Sequence, residues 1–300
     1  MSKIVQLNKS YDLWLTYTWS GNDHGICGHT YEVIDYYYIL KDKLKVGIFL
    51  AEDIDLEKAI RSKYNFTEEE ICDILDNTIF GDKPSLLQGN NILFTDGGVV
   101  NNNSVTLLFD HIFYFACGNK EIKDNEIKNV YVLQDDRVYD PVKLNGINYK
   151  KRILFSKLKR LKRPNLRDVL IYGTKNCRGV PERIYKKYSK KFKQSTILAV
   201  TNEENQFEDF DNVKCVVPPV EDLFNKFHIF VYTPVPRKWD CSPRFLAECK
   251  HYNKNVIFEG IDYWDEDKGL YWRNWDIEND FESLHLTEDD EIIHILEGII

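Results

Sequence analysis

The sequence predicts an α/β protein of two doubly wound domains joined by a short basic linker. Three observations carry this. From residue 168 onward, short apolar runs alternate with helical patterns, as in a parallel sheet with crossover helices. The first half carries further short apolar runs of strand length among fewer helical segments. Between the halves, Lys157 to Pro164 is basic, ends in proline and has no apolar period, as a linker would. The boundaries read as 1–150, a linker over 151–166, a second domain over 167–280, and a terminal segment over 281–300 that packs back on the body as a helix. A chain of 300 residues with 43% hydrophobic and 29% charged residues can bury one large or two medium cores.

The elements follow in order. Tyr11 to Trp19 is apolar and aromatic and reads as the first strand, and Ser20 to Gly28 as a loop before a helix from His29 to Leu40. Lys45 to Ala51 is the next strand. Thr67 and Glu68 to Glu70 supply an N-cap and an acidic first turn to a helix running toward Thr78. Ile92 to Thr95, Val105 to Phe109, Ile112 to Ala116 and Val130 to Leu133 are short apolar runs of buried-strand type, and Lys151 to Phe155 is a candidate for one more. The second half reads as strand 168–172, helix 181–192, strands 196–200 and 213–217, short helix 220–225, strand 228–233, helix 243–252 and strand 255–258. Ile292 to Ile300 is the terminal helix.

Composition excludes several classes. Met1 to Asp12 lacks the apolar core of a signal peptide, and the longest apolar runs, such as Ile112 to Cys117, are too short to cross a bilayer, so a cytoplasmic protein without a membrane partner is expected. Cysteines 27, 72, 117, 177, 215, 241 and 249 form no CxxC pair and are odd in number, which reads as reduced thiols. Neither G-x-x-x-x-G-K-[ST] nor G-x-G-x-x-G occurs, which disfavours a P-loop ATPase and weakens a dehydrogenase reading. His24 and His29 stand five apart across two glycines, His111 beside Asp110, and His251 near Cys249 alone; no metal site is evident.

The net charge of −8 hides a division. Lys143 to Lys193 holds 18 Lys and Arg against Asp168 and Glu182, a local balance of +16 that leaves −24 for the rest. Such asymmetry marks either a polyanion-binding face or a solvated linker followed by a cationic helix.

The candidate binding residues lie in the second half. After strand 168–172, Gly173 to Gly179 places flexible backbone, Lys175 and Arg178 where a helix begins, with Arg183 one turn on. Backbone amides, the helix dipole and guanidinium forks suit a diphosphate there, although such arginines can also simply face water. Arg244 and Glu248 share one helix face, capped by Ser242 and Pro243. A carboxylate so placed can accept ribose hydroxyls while the arginine reaches phosphates; an exposed i,i+4 salt bridge is the other reading. Pro234 to Asp240, with Arg237, is a stiff cationic loop beside them.

These residues resemble the donor half of GT-B glycosyltransferases, which have two Rossmann-like domains facing a central cleft and a glutamate that holds the nucleotide ribose. Asp168 to Gly179 with Arg183 is similar to the strand, glycine turn and arginine pair of the DNA β-glucosyltransferases of T-even phages. The resemblance implies that Arg178 and Arg183 bind UDP diphosphate. It also implies that Arg244 and Glu248 correspond to an Arg-x-x-Glu donor motif with one residue inserted, so that the glutamate carries over more securely than the arginine. A weaker echo, Tyr131 to Arg137, implies Asp135 as the base facing an acceptor hydroxyl, with Arg137 two residues on; Asp136 stays open because register is not fixed. Asp23 with His24 in the first loop is a rival pair, and His24 is otherwise a donor or acceptor contact.

The implied function is inverting transfer of a sugar from a UDP-sugar co-substrate, with no tightly bound cofactor and no required divalent metal, by a monomer. The implied acceptor is 5-hydroxymethylcytosine in double-stranded phage DNA, its phosphates met by linker residues such as Lys159 and Arg160. The alternatives are a glycan or lipopolysaccharide acceptor, or a non-catalytic nucleotide-binding protein of the same fold.

Overall fold

The structure is a computed structural model, which describes residues 11–17, 26, 28–51, 54–81, 92–96, 109–116, 129–133, 145–147, 153–162, 168–173, 180–201, 207, 209–217, 220, 222–233, 244–259, 263–265, 270–272 and 291–299. The chain divides into two compact units. Unit 1 comprises Met1–Ile60, Phe66–Leu154 and Leu286–Ile300; unit 2 comprises Arg61–Asn65 and Phe155–His285.

Unit 1 is built on seven parallel strands, β1 (Leu13–Thr16), β2 (Val46–Leu50), β3 (Thr78–Phe80), β4 (Ile92–Asp96), β5 (His111–Ala116), β6 (Asn129–Leu133) and β7 (Asn145–Ile147), ordered β3-β2-β1-β4-β5-β6-β7. β1 and β2 are buried end to end because both faces of a parallel sheet are covered. Phe94 and Phe113 stack at 4.6 Å across β4 and β5, and Tyr36 from α1 (Gly28–Leu40) packs at 5.4 Å from Phe94. The Trp14 and Tyr11 rings crowd Gly47, where an added Cβ would meet them at 2.7–2.8 Å.

The predicted helix after Thr67 is α3 (Glu68–Asp76), and its capping box forms: Glu70 N donates to Thr67 Oγ1 at 3.2 Å, and Thr67 N donates to Glu70 Oε2 at 2.9 Å. It stops two residues short of Thr78, which opens β3 beside β2. A helix not foreseen, α2 (Leu56–Lys63), buries Leu56, Ala59 and Ile60 at the i, i+3, i+4 spacing of an amphipathic face. The expected strand at 151–155 does not form at its described residues: Phe155–Lys157 is a 3-10 turn. The strand expected at 105–109 falls mainly outside the described residues.

Unit 2 has five parallel strands, β8 (Val169–Tyr172), β9 (Ile197–Val200), β10 (Val213–Val216), β11 (Ile229–Tyr232) and β12 (Asn255–Phe258), ordered β10-β9-β8-β11-β12. Alternating side chains build two cores. Val169, Ile171, Ile197 and Val231 pack against Ile184, Tyr185 and Tyr188 of α4 (Glu182–Lys191). Leu170, Leu198, Val200 and Phe230 pack against Leu246 and Cys249 of α5 (Arg244–His251). With a helix on each face, the sheet is doubly wound, and the alternation read from residue 168 onward is the reason. The short helix expected at 220–225 is a 3-10 turn at Leu223–Asn225.

An antiparallel pair, β13 (Tyr263–Asp265) and β14 (Leu270–Trp272), follows in unit 2, and α6 (Glu291–Ile299) returns to unit 1 with Ile292, Ile293 and Leu296 buried.

Candidate functional site

Both sheets place their first strand beside their fourth, so each has a topological switch point where the winding reverses. In open α/β sheets, ligands bind outside the carboxyl ends of the strands at that point. In unit 2 it lies past the ends of β8 and β11.

Just past β8 stands Gly173, whose φ of 99° is a conformation that side-chain-bearing residues rarely adopt. Its N–H donates to Val200 O at 2.9 Å, and its carbonyl accepts from the buried Tyr185 hydroxyl at 2.5 Å, so the turn is held from both sides. The chain re-enters at Val180 and begins α4 at Glu182, with Arg183 exposed in the first turn. At the end of β11, Thr233 is 8% exposed, and its hydroxyl has no hydrogen-bond partner among the described residues. A buried, unsatisfied hydroxyl costs free energy.

α5 then opens on the pair singled out by the sequence. Arg244 Nε donates to Glu248 Oε1 at 2.6 Å, across one helical turn. The pair is not an exposed salt bridge: Glu248 is fully buried and Arg244 is 7% exposed. Two residues from a distant stretch complete it. Lys63, the last residue of α2, donates to both oxygens of Glu248 at 2.8 and 2.9 Å, and Arg244 donates through its NH2 group to the Tyr64 hydroxyl at 3.0 Å.

The backbone of this stretch is pinned. Asn65 N donates to Lys157 O at 2.7 Å, Lys159 N to Lys63 O at 3.0 Å, and Tyr64 bridges antiparallel to Leu158. Tyr252, just past α5, donates to Lys159 O at 2.7 Å.

Lys63 and Arg244 thus both pair with the Glu248 carboxylate. Burial pushes the Glu248 carboxyl up, but the charges of Lys63 and Arg244 and their hydrogen bonds outweigh it and hold it below the ordinary glutamate value. Hydrogen bonds to a charged group contribute about 1.5–3 kcal/mol each, so a neutral diol gains little by displacing one of these cations.

A second carboxylate, Glu259, stands past β12. It accepts from Lys187 at 2.8 Å on both oxygens and from the Tyr188 hydroxyl at 2.6 Å. Burial again raises its pKa, and those hydrogen bonds with the charges of Lys187 and Arg183 bring it below the ordinary value.

The remaining predicted residues sort plainly. Lys159 is half-buried and lies 3.7 Å from Asp222, which also lies 3.9 Å from the exposed Lys162; Arg160 is exposed. Asp23, His24, Asp135, Asp136, Arg137, Lys175, Arg178 and Arg237 lie outside the described residues.

At the switch point of unit 1, β1 ends in Thr16, 1% exposed, with its hydroxyl unpaired among the described residues. Tyr17 and Thr30 share a buried hydrogen bond of 2.7 Å, and His29 Nδ1 lies 2.9 Å from the buried Glu32. Sequence reasoning did not reach Lys63, Tyr64, Thr233, Glu259 or the His29 and Glu32 pair. Only the last had a local signal, an i,i+3 spacing on a helix expected from its apolar pattern.

Among the described residues, no group of three or more His, Cys, Asp or Glu is placed to hold a metal ion, and no helix is long and apolar enough to cross a membrane. Cys72, Cys215 and Cys249 are free thiols.

The fold and site thus define a two-unit, doubly wound α/β protein with a buried charged cluster in unit 2. Among solved structures, the chain is similar to Anabaena HepE in complex with UDP and glucose, at 9% identity over 83% of this chain and 80% of that one, with a TM-score of 0.49. It is also similar to a glycosyltransferase from Rickettsia africae, at 12% identity over 83% and 79%, TM-score 0.47, and to an O-GlcNAc transferase from Thermobaculum terrenum, at 11% over 95% and 62%, TM-score 0.37. No family model matches the sequence, and no curated protein sequence matches it.

Proposed function

We propose that the chain is a glycosyltransferase that transfers a sugar from a nucleoside diphosphate sugar, specifically a UDP-sugar, to a hydroxyl acceptor. The observation that carries this reading is the unit 2 switch point. A left-handed glycine and an unsatisfied threonine hydroxyl follow β8 and β11 at Gly173 and Thr233, and a buried guanidinium, Arg244, opens the next helix in sequence. These are the groups a diphosphate requires: backbone that can approach closely, a hydroxyl donor and a fixed cation.

In this reading Lys175, Arg178, Arg183, Arg237 and Arg244 serve the diphosphate and stabilise the departing nucleoside diphosphate. The base that takes the acceptor proton is Asp135, Asp136 or Asp23, and His29 joins them as a candidate because Glu32 holds its Nδ1.

For the acceptor we favour a glycan or lipopolysaccharide hydroxyl. The basic stretch loses much of its force as a polyanion face when its own carboxylates are counted: Lys187 is taken by Glu259, and Lys159 and Lys162 lie beside Asp222. Outside residues 143–193 the chain carries a balance of −24. The second reading, duplex DNA bearing 5-hydroxymethylcytosine, is favoured by the exposed cations of α4, among them Arg183, Lys186, Lys190 and Lys191. One experiment separates them. The full chain is incubated with a panel of UDP-sugars and either a glycan acceptor or hydroxymethylated duplex, and products are read by mass spectrometry. A hexose or pentose increment on the glycan supports the first reading, one on the nucleoside the second, and neither sugar transfer nor UDP-sugar binding would sink both. If duplex binds, its affinity should fall steeply with salt.

A further inference from the structure

We infer that Lys63 and Tyr64 are positioning residues of the nucleotide site in unit 2, and that Glu248 acts on a bound nucleotide through Arg244 rather than by touching it. The inference rests on the reading of unit 2 as a nucleoside diphosphate site. Its own support is geometric. Glu248 is fully buried, and Lys63 spans both of its oxygens at 2.8 and 2.9 Å. Lys63 is the most exposed member of the group, with 18% of its side chain accessible against 1% for Glu248, so a ligand reaching the carboxylate would have to displace it.

Arg244 is fixed at two of its nitrogens, by Glu248 at 2.6 Å through Nε and by Tyr64 at 3.0 Å through NH2. A guanidinium anchored in this way has its plane set before any ligand arrives, at the first residue of the helix that follows β11. Lys63 and Arg244 meet at the one carboxylate of Glu248, and in a buried setting such charges are weakly screened. Without Lys63, Glu248 would lose one of the cations that fix it against Arg244.

Lys63 and Tyr64 lie 185 and 180 residues before their partners in sequence. Their backbone is nonetheless part of unit 2, held by the bridge of Tyr64 to Leu158 and the flanking hydrogen bonds to Lys157 and Lys159. The contact is therefore built into the unit and not a chance meeting of two long side chains.

The test measures binding of UDP and of uridine to the full chain by calorimetry, with melting temperature followed in parallel. Lys63→Met should weaken UDP binding by about tenfold or more, equivalent to at least about 1.4 kcal/mol. Uridine should change by less than about twofold, since it has no diphosphate for the positioned Arg244 to meet. Lys63→Arg should recover most of the UDP affinity, which a purely structural role would not require. Tyr64→Phe, a milder change should Lys63→Met fail to fold, should weaken UDP binding several-fold and leave uridine unaffected. UDP binding by Lys63→Met as tight as wild type, or tighter, overturns the inference while leaving the nucleotide site in place; tighter binding would mean that Lys63 occupies a seat the ligand needs. A wild-type chain that binds neither UDP nor a UDP-sugar overturns the site reading itself, and the inference with it.

Discussion

The two sheets share one winding, in which the first strand lies beside the fourth, yet they place different chemistry at the switch point. Unit 2 buries charge after the strands that flank it: Arg244 and Glu248 in one cluster on the helix that follows β11 in sequence, and Glu259 past β12. Unit 1 buries hydroxyls, with Thr16 at the strand end and Tyr17 paired to Thr30, while its α1 also buries the carboxylates Glu32, which pairs with His29, and Asp35. Strand order sets where each sheet reverses its winding, and the side chains set the chemistry found near that point.

The sharpest way to break this contrast is Glu248→Ala. It leaves Lys63 and Arg244 without their buried counter-ion and should cost about 3–5 kcal/mol in urea unfolding, together with a loss of UDP affinity. Unchanged stability would mean that the cluster is open to water. Gly47→Ala is the counterpart in unit 1, where no charge is involved. Its Cβ would meet the Trp14 and Tyr11 rings, and a loss of about 1–3 kcal/mol should be seen with UDP binding intact.

The pH dependence should differ in direction between the units. Glu248 and Glu259 have folded pKa values below the ordinary one, so their contribution is present above about pH 4.3 and is lost as pH falls through the folded values. In unit 1, burial lowers the Lys41 pKa, but Asp73 outweighs this and raises it, so its contribution is present below about pH 10.4 and lost as pH rises through the folded value. Hydrogen exchange mapped along the sequence should show unit 2 loosening first in acid; simultaneous loosening of both units would remove the distinction.

The smallest effects are expected at the two orphan hydroxyls. Thr16→Val and Thr233→Val should change stability by no more than about 1 kcal/mol, in the stabilising direction, since each removes an unsatisfied group. Thr233→Val should weaken UDP binding, and Thr16→Val should not.

Much of the fold was legible because local signals agreed with the tertiary outcome. Thr67 with Glu70 announced α3, and the apolar runs at 169–172, 197–200 and 229–232 announced strands covered on both faces. α2 escaped although Asp55 caps it by accepting from Lys58 N at 2.9 Å, since its mean hydropathy is low and only three of its residues face inward. In the site, the Arg244 and Glu248 spacing was visible because four residues make one turn. Lys63 was not visible, because it meets Glu248 across 185 residues and no local pattern marks such a partner.

The interleaving of the units along the chain has a practical meaning for any attempt to take the protein apart. Residues 61–65 belong with 155–285, and 286–300 belong with the first half. A cut near residue 154 therefore yields two incomplete pieces. The carboxyl piece would keep Arg244 and Glu248 but lose the lysine and tyrosine that accompany them, and would carry α6 without its unit. A faithful unit 2 would have to be made by splicing, with residues 61–65 restored beside 157–159.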